Sequence, residues 1–212
     1  MTSLIITIFD RETFDSNTDY FDNFNKLFEN LGNNVKYINI KQNENVIEKI
    51  KKNYIKPNFV FLYCCCRGGV IDGNDVIQAG KNSDLISVDA IINIATDRDS
   101  KIPVFIILEC GREIYQYKYF MIENCVRYEY ITRYYLTSLG SNIRVGNRKF
   151  QDLLYKRLID IDNFSYDDIC NDALISLRKE VNKSGYDYRL IRGPSDSTAN
   201  MHFIKLFVKK TK

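Results

Sequence analysis

The residue with the clearest chemical potential is Cys110, which comes directly after Glu109 and the apolar run from Val104 to Leu108. Short runs of β-branched and aromatic residues are typical of strands buried on both faces of a parallel sheet. Ligands and reacting groups collect at the carboxyl ends of such strands. The sequence therefore places a thiol where a nucleophile would lie. A thiol nucleophile also requires a nearby base and backbone N–H groups that hold the oxyanion.

The sequence offers no suitable base for Cys110. A second apolar run, from Phe59 to Tyr63, breaks at three consecutive cysteines followed by Arg67. Arginine stays protonated at physiological pH, so Arg67 can lower the pKa of a neighbouring thiol but cannot accept its proton. The single histidine of the chain, His202, lies in the last apolar segment, far along the sequence from Cys110. We therefore expect no Cys–His dyad.

The elements that must position these residues alternate between strand and helix. This alternation predicts an α/β fold with a right-handed, mostly parallel central sheet of about six strands and helices on both faces. An Asp-Gly turn at Asp72-Gly73 predicts a small hairpin after the first break. The predicted strands are Leu4–Phe9, Val35–Ile40, the runs beginning at Phe59 and Val104, Tyr130–Tyr135 and Met201–Val208. The predicted helices are Thr18–Gly32, Val46–Tyr54, Leu85–Ala95, Lys149–Ile159 and Tyr166–Asn182.

Composition excludes several classes of function. The chain has 212 residues, is 45% hydrophobic and 27% charged, and carries a formal net charge of only +3, which is too weak and dispersed for a nucleic-acid or membrane surface. Its six cysteines lack the C-x-x-C spacing of a metal site or a disulfide framework, so we expect no metal, no cofactor and a reducing, cytoplasmic location. The length favours one domain.

Two apolar runs end at Tyr63 and at Leu108, and each is followed by cysteine-containing residues. These two run ends, together with the order of the elements, resemble the core of the caspase family. In that family one strand ends at the catalytic histidine and the next ends at the nucleophilic cysteine, with the histidine ~50 residues upstream. Arg67 occupies the histidine position, 43 residues before Cys110. The resemblance implies a three-layer caspase-like sandwich as a single domain over residues 1–212. Residues 1–110 would be large-subunit-like, 111–128 a linker and 129–212 small-subunit-like.

The resemblance also implies positions for the substrate pocket and for maturation cleavage. Asp15 and Leu108 match two of the groups that bind the substrate aspartate in caspases, and Arg144 matches the third; Arg11 lies close to the first position. Asp and Leu at those places would repel or ignore an acidic side chain. No aspartate occurs from residue 111 to residue 151, so the linker lacks the cleavage site at which caspases mature.

These features predict a catalytically inactive pseudo-caspase that modulates apoptosis by dimerising with an active caspase or with itself. In the family the last strand is an exposed edge that pairs with a second subunit. The predicted dimer interface is therefore the final apolar segment, Phe203, Ile204, Lys205, Leu206, Phe207 and Val208. The compact chain and a residue usage typical of AT-rich coding fit an inhibitory viral decoy.

Two other functions stay open. The first is an atypical cysteine endopeptidase that uses Cys110 with a non-aspartate specificity suited to Leu108. The second is a doubly wound domain that binds a small molecule, which predicts a glycine-rich phosphate loop after the first strand. Asp10-Arg11-Glu12 stands there instead.

Overall fold

The computed structural model describes residues 2–10, 18–32, 34–41, 44–79, 84–110, 113–114, 127–138, 148–160 and 165–208. The strands in this part of the chain are β1 (Ser3–Phe9), β2 (Val35–Ile40), β3 (Phe59–Ile71), β4 (Asn74–Gln78), β5 (Ile86–Ser87), β6 (Val104–Cys110), β7 (Glu113–Ile114), β8 (Ile131–Ser138) and β9 (Tyr188–Arg192). The helices are α1 (Thr18–Glu29), α2 (Val46–Lys52), α3 (Val88–Thr96), α4 (Arg148–Ile159), α5 (Tyr166–Asn171), α6 (Ile175–Lys183) and α7 (Ser197–Phe207).

The central sheet has the strand order β2-β1-β3-β6-β8-β9. The pairings from β2 through β8 are parallel, and β9 alone runs antiparallel, beside β8. The last residues of β3 pair with β4, which is antiparallel to β3, and with β7, which is parallel to it. β5 pairs with β4. The predicted sheet of about six mostly parallel strands is confirmed.

Helices cover both faces of this sheet, which gives three layers. Alternate residues of the strands point to opposite faces: Phe61 and Tyr63 of β3 pack with α1, α4, α6 and α7, whereas Leu62 and Cys64 pack with α2 and α3. Every residue of β6 is buried. The near-continuous apolar runs of β3 and β6 are thus explained by burial on both faces.

β3 does not end at Cys64, where the apolar run was predicted to break. The three cysteines are fully buried and continue the strand, because a free cysteine packs like a small hydrophobic residue. β3 pairs with β6 as far as Cys66, then diverges and pairs with β4 from Arg67 onward. The pairing of β3 with β6 therefore ends at Cys66, within the predicted break.

The predicted hairpin is present between β3 and β4. Its two turn residues, Asp72 and Gly73, both have positive φ, at 48° and 79°. Two successive left-handed residues define the type I′ turn, whose twist matches that of the flanking strands and which favours Asp-Gly.

The final apolar segment is a helix, so the prediction of a C-terminal strand at Met201–Val208 is wrong. The Asp196 side chain caps α7 by accepting hydrogen bonds from the N–H groups of Thr198 and Ala199. Phe203 and Phe207 are one helical turn apart and both face the core. The apolar residues of this segment also fit period two, and the Asp196 cap distinguishes the helix from a strand.

Other boundaries also differ. The helix predicted over Tyr166–Asn182 is broken into α5 and α6 at Asp172, whose side chain accepts a hydrogen bond from the N–H of Leu174. The helix predicted from Leu85 begins at Val88, because Ile86 and Ser87 form β5. β9 was not predicted. Of the helices in the described ranges, none combines the length and the apolar character needed to cross a membrane.

Candidate functional site

Cys66 and Cys110 are in contact where the pairing of β3 with β6 ends, at the carboxyl end of β6. The two residues are Cα partners in the parallel pairing, and their sulfur atoms lie 3.7 Å apart. The Cys110 thiol also donates to the carbonyl oxygen of Cys64, with 3.5 Å between the atoms. Cys64 and Cys66 are fully buried, and Cys110 is 5% exposed. The predicted nucleophile position thus carries a buried cluster of thiols on one face of the sheet.

Burial makes the neighbouring thiols of β3 poor nucleophiles. The hydrogen bond with Cys110 and burial raise the pKa of Cys66 well above its ordinary value, and burial followed by the proximity of Cys110 does the same for Cys64. Since the thiolate is the reactive form, these two sulfurs are protonated and inert near neutral pH.

The opposite face of the same strand ends carries a buried polar network around Glu109. A carboxylate oxygen of Glu109 accepts hydrogen bonds from the Tyr63 hydroxyl, from the Cys65 thiol at 3.3 Å and from the Gln151 amide of α4 at 3.3 Å. Gln151 also donates to the Cys65 sulfur at 3.0 Å. Burial and the nearby Glu109 raise the pKa of both Tyr63 and Cys65. Sequence reasoning missed this network, although a charged residue inside the apolar run of β6 was a signal for it.

Arg67, the residue at the predicted histidine position, does not reach Cys110. Its backbone pairs with Gln78 in the hairpin, and its side chain is partly buried. Alternation along β3 places Arg67 on the face of Cys65, whereas Cys66 and Cys110 share the other face. Among the hydrogen bonds and ion pairs of the described residues, none joins Arg67 to Cys110.

His202 lies at the opposite end of the sheet. Its ring stacks on Phe59, with 5.5 Å between ring centroids and 15° between the planes. Phe59 opens β3, whereas Cys66 is seven residues further along, about 23 Å at ~3.3 Å per residue. Burial and the nearby Lys205 lower the pKa of His202. His202 and Cys110 therefore lie near opposite ends of the strands.

Of the three predicted pocket residues, only Leu108 lies in the described part of the chain; Asp15 and Arg144 lie outside it, as does Arg11. Leu108 is buried and lines a small depression at the strand ends with Gly69, Asp75, Cys110 and Tyr135. Leu108 and Cys110 thus line one depression, and the role of Leu108 in a substrate pocket stays a prediction.

An ion network closes one side of this depression. The Arg133 guanidinium of β8 binds Asp75 at 2.8 Å and Asp89 at 2.9 Å, and the Tyr135 hydroxyl donates to Asp75 at 3.2 Å. These contacts tie β8 to β4 and α3. They also engage the carboxylate of Asp75, the acidic group that lines the depression with Cys110. Within the described ranges no cluster of three or more His, Cys, Asp or Glu residues is arranged to hold a metal ion.

No protein-family model matches the chain, and neither does any curated protein. The chain is similar in structure to the Drosophila initiator caspase Dronc, with a TM-score of 0.54 and 9% sequence identity. The similarity covers 92% of this chain and 80% of Dronc. The chain has a caspase-like fold. At this identity the similarity establishes the fold alone.

The six predicted interface residues lie in α7 and at its C-cap. Phe203, Ile204 and Phe207 of α7 are buried against the sheet, and Leu206 packs partly against the same cluster. Only Lys205 and Val208 of the six predicted interface residues are exposed. The pairing edge that was predicted at residues 203–208 does not exist there, because this segment is a core-facing helix. The terminal strand of the sheet beside β8 is β9.

Proposed function

We propose that this protein is a catalytically inactive caspase homologue that modulates apoptosis by binding a caspase or a second copy of itself. The position of the only histidine carries the proposal. His202 stacks on Phe59 at the amino end of β3, while Cys110 lies at the carboxyl end of β6. A cysteine protease needs its base within hydrogen-bond reach of the nucleophile, and a separation of about 23 Å along the strand excludes that contact.

The residue at the histidine position supports the same conclusion. Arg67 cannot accept the thiol proton and cannot return one to a leaving amine. Alternation along β3 also places Arg67 on the face of Cys65, opposite to the face of Cys110. Within the described part of the chain, the hydrogen-bond partners of Cys110 are Cys66 and the Cys64 carbonyl, so no base or cation hydrogen-bonded there activates its thiol.

The proposed binding surface is the outer edge of β9. β9 ends the sheet, and Ile191 on this strand is 49% exposed. A terminal strand offers unpaired backbone groups to a partner chain. A decoy that occupies the matching edge of an active caspase would reduce the supply of active dimer.

Asn182 of α6 covers the middle of this edge. Its amide donates to the Leu190 carbonyl at 3.3 Å, and its side-chain oxygen accepts from the Leu190 N–H at 2.9 Å. The Arg189 guanidinium similarly binds the Tyr188 carbonyl at 3.3 Å. A partner strand must displace these side chains, so pairing at β9 is weak until Asn182 moves away.

The test is to mix the purified protein with an active initiator caspase and to follow both mass and rate. Light scattering after size exclusion detects mixed dimers, and hydrolysis of an aspartyl peptide reports the partner's activity. We expect no hydrolysis by this protein alone, a mixed dimer and a lower rate from the partner. Absence of any complex, with the partner's rate unchanged, would exclude binding to that caspase as the function.

The alternative is a cysteine endopeptidase with non-aspartate specificity. The observation that favours it is that Cys110 and Leu108 line the same depression at the strand ends. This alternative requires a reactive thiol, so Cys110 would be alkylated by iodoacetamide within minutes near neutral pH. The proposed function requires slow alkylation, at the rate set by opening of the buried strand end.

A further inference from the structure

Cys66 and Cys110 form a contact that the proposed binding function does not use. Their sulfur atoms are 3.7 Å apart, and the residues are direct partners on neighbouring strands. Cys64, on the same face of β3, is instead the partner of Leu108, and Cys65 lies on the other face with Glu109. The strand register therefore selects one pair from the four thiols at this edge.

The backbone geometry of this pair is compatible with a disulfide. Neighbouring strands run about 4.8 Å apart, and disulfide-linked residues have Cα atoms roughly 4.4–6.8 Å apart. The sulfurs must approach from 3.7 Å to about 2.05 Å. Rotation of the two side chains, with a small adjustment of the strand ends, supplies that movement.

We propose that Cys66 and Cys110 are a dithiol modification site, which a hydroperoxide converts to an intramolecular disulfide. The peroxide first transfers an oxygen atom to the Cys110 thiol, which gives a sulfenic acid and, from hydrogen peroxide, one water. The Cys66 sulfur then attacks the sulfenic sulfur. The S–S bond forms, the S–O bond breaks, and the hydroxyl leaves with the Cys66 proton as a second water.

Exposure sets the order of these two steps. Cys110 is 5% exposed and lines the depression at the strand ends, whereas Cys66 is fully buried behind it. A small peroxide therefore meets Cys110 first. The hydrogen bond with Cys110 and burial keep the pKa of Cys66 high, so Cys66 stays a thiol until an electrophilic sulfur forms beside it.

The bond would join β3 to the carboxyl end of β6 at their last pair of residues and withdraw Cys110 from any other thiol chemistry. This inference does not depend on whether the protein binds a caspase, because it concerns only the two strand ends. The bond would therefore form in response to the oxidant without any partner protein.

The test is peroxide treatment of the reduced, full-length protein. After the oxidant is removed, free thiols are alkylated under denaturing conditions, and mass spectrometry is run on the intact chain and on a non-reduced tryptic digest. We expect two of the six thiols to escape alkylation and reduction to restore them. We also expect a linked peptide pair whose fragmentation places the bond between Cys66 and Cys110. Fragmentation assigns the bond in the wild-type chain, so the result does not depend on any variant folding.

Single cysteine substitutions test which residues form the bond. Cys66→Ser should abolish the bond and leave a sulfenic acid at Cys110 that dimedone traps, while Cys65→Ser, on the opposite face, should form the bond as the wild type does. A bond to Cys64, a bond between two chains, a sulfinic acid at Cys110 without any linkage, or six alkylated thiols after treatment would each overturn the proposal.

Discussion

Glu109 is fully buried at the end of β6, where its carboxylate oxygen accepts hydrogen bonds from Tyr63, Cys65 and Gln151. This network holds β3, β6 and α4 together at the candidate site. A buried donor that loses its partner costs roughly 1–3 kcal/mol. The residue therefore matters for stability as well as for the shape of the strand end.

The first prediction concerns removal of this acceptor. Glu109→Ala should lower the free energy of unfolding by about 3 kcal/mol, because it leaves the Tyr63 and Gln151 donors without that oxygen. Glu109→Gln, which keeps an acceptor oxygen, should cost less. Urea denaturation measures both, with the exposed Glu48→Ala as a control expected to change stability by less than about 0.5 kcal/mol. Equal stability of Glu109→Ala and the wild type would contradict the importance of the network.

The second prediction concerns pH and the buried thiols of β3. Burial raises the pKa of Cys64, and the hydrogen bond with Cys110 together with burial raises that of Cys66. Above about pH 8.5 the unfolded chain loses these protons while the folded chain keeps them. The unfolded state then binds fewer protons, so the free energy of unfolding falls as pH rises from about 8.5 toward the folded-state pKa values.

Urea denaturation at several pH values, in a reducing buffer, checks this dependence. Cys64→Ala should reduce the alkaline loss of stability, because one titrating thiol is removed. Val60→Ala, on the same face of β3, changes packing but removes no proton and should leave the slope of the wild type. Identical slopes for Cys64→Ala and the wild type would show that burial does not perturb this thiol.

At the scale of elements, α7 supplies a large share of the core on one face. Phe203 stacks on Phe105 with ring centroids 3.9 Å apart and contacts Phe61 edge-on at 5.1 Å. Phe203→Ala should cost about 3–5 kcal/mol, because it opens a cavity between the helix and the sheet. Lys205→Ala, on the exposed side of the same helix, should be within about 0.5 kcal/mol of the wild type. If residues 203–208 were an exposed edge strand, both substitutions would be mild.

A second prediction at the scale of elements concerns Asn182, whose side chain hydrogen-bonds the backbone of Leu190 on β9. Asn182→Ala should free the N–H and carbonyl of Leu190 and strengthen pairing at the edge. Light scattering at a series of concentrations should then show more dimer, alone or with a caspase, than the wild type shows. Lys183→Ala, on the next residue of α6, is the control and should behave as the wild type. An unchanged association of Asn182→Ala would place the binding surface elsewhere than β9.

Elements with an unambiguous pattern could be predicted from the sequence. β3 and β6 are continuous apolar runs, which identifies buried parallel strands and, with them, the edge where Cys66 and Cys110 meet. The segment from Phe203 to Phe207 could not be assigned by periodicity, because its apolar residues fit both period two and period 3.6. The Asp196 cap was the deciding signal. β9 is short and half polar, so its pattern is weak.

The strand that carries each candidate residue could be predicted from the sequence, but the contacts of the side chains could not. The strand ends placed Cys110, Leu108 and Arg67 near one edge. The face on which each side chain lies depends on where β3 leaves β6, and no local pattern marks that point. The partnership of Glu109 with Gln151 joins residues 42 positions apart on different elements, which spacing alone does not reveal. Long-range contacts of this kind are set by the packing of α4 on the sheet.

At the scale of the whole molecule, a caspase-like sheet separates its one histidine from its candidate nucleophile. The fold is caspase-like, and the residues at the end of β6 form a buried thiol cluster and a carboxylate network. The proposed function requires the molecule to act through its surface. Lack of proteolytic activity is the property on which this account depends most.

The most direct measurement is hydrolysis of a peptide library, which includes aspartyl substrates, by the purified protein and its Cys110→Ala variant in reducing buffer. We expect both proteins to hydrolyse every peptide no faster than buffer alone. Hydrolysis of any peptide by the wild type that Cys110→Ala abolishes would contradict it, because Cys110 would then be a working nucleophile without a histidine.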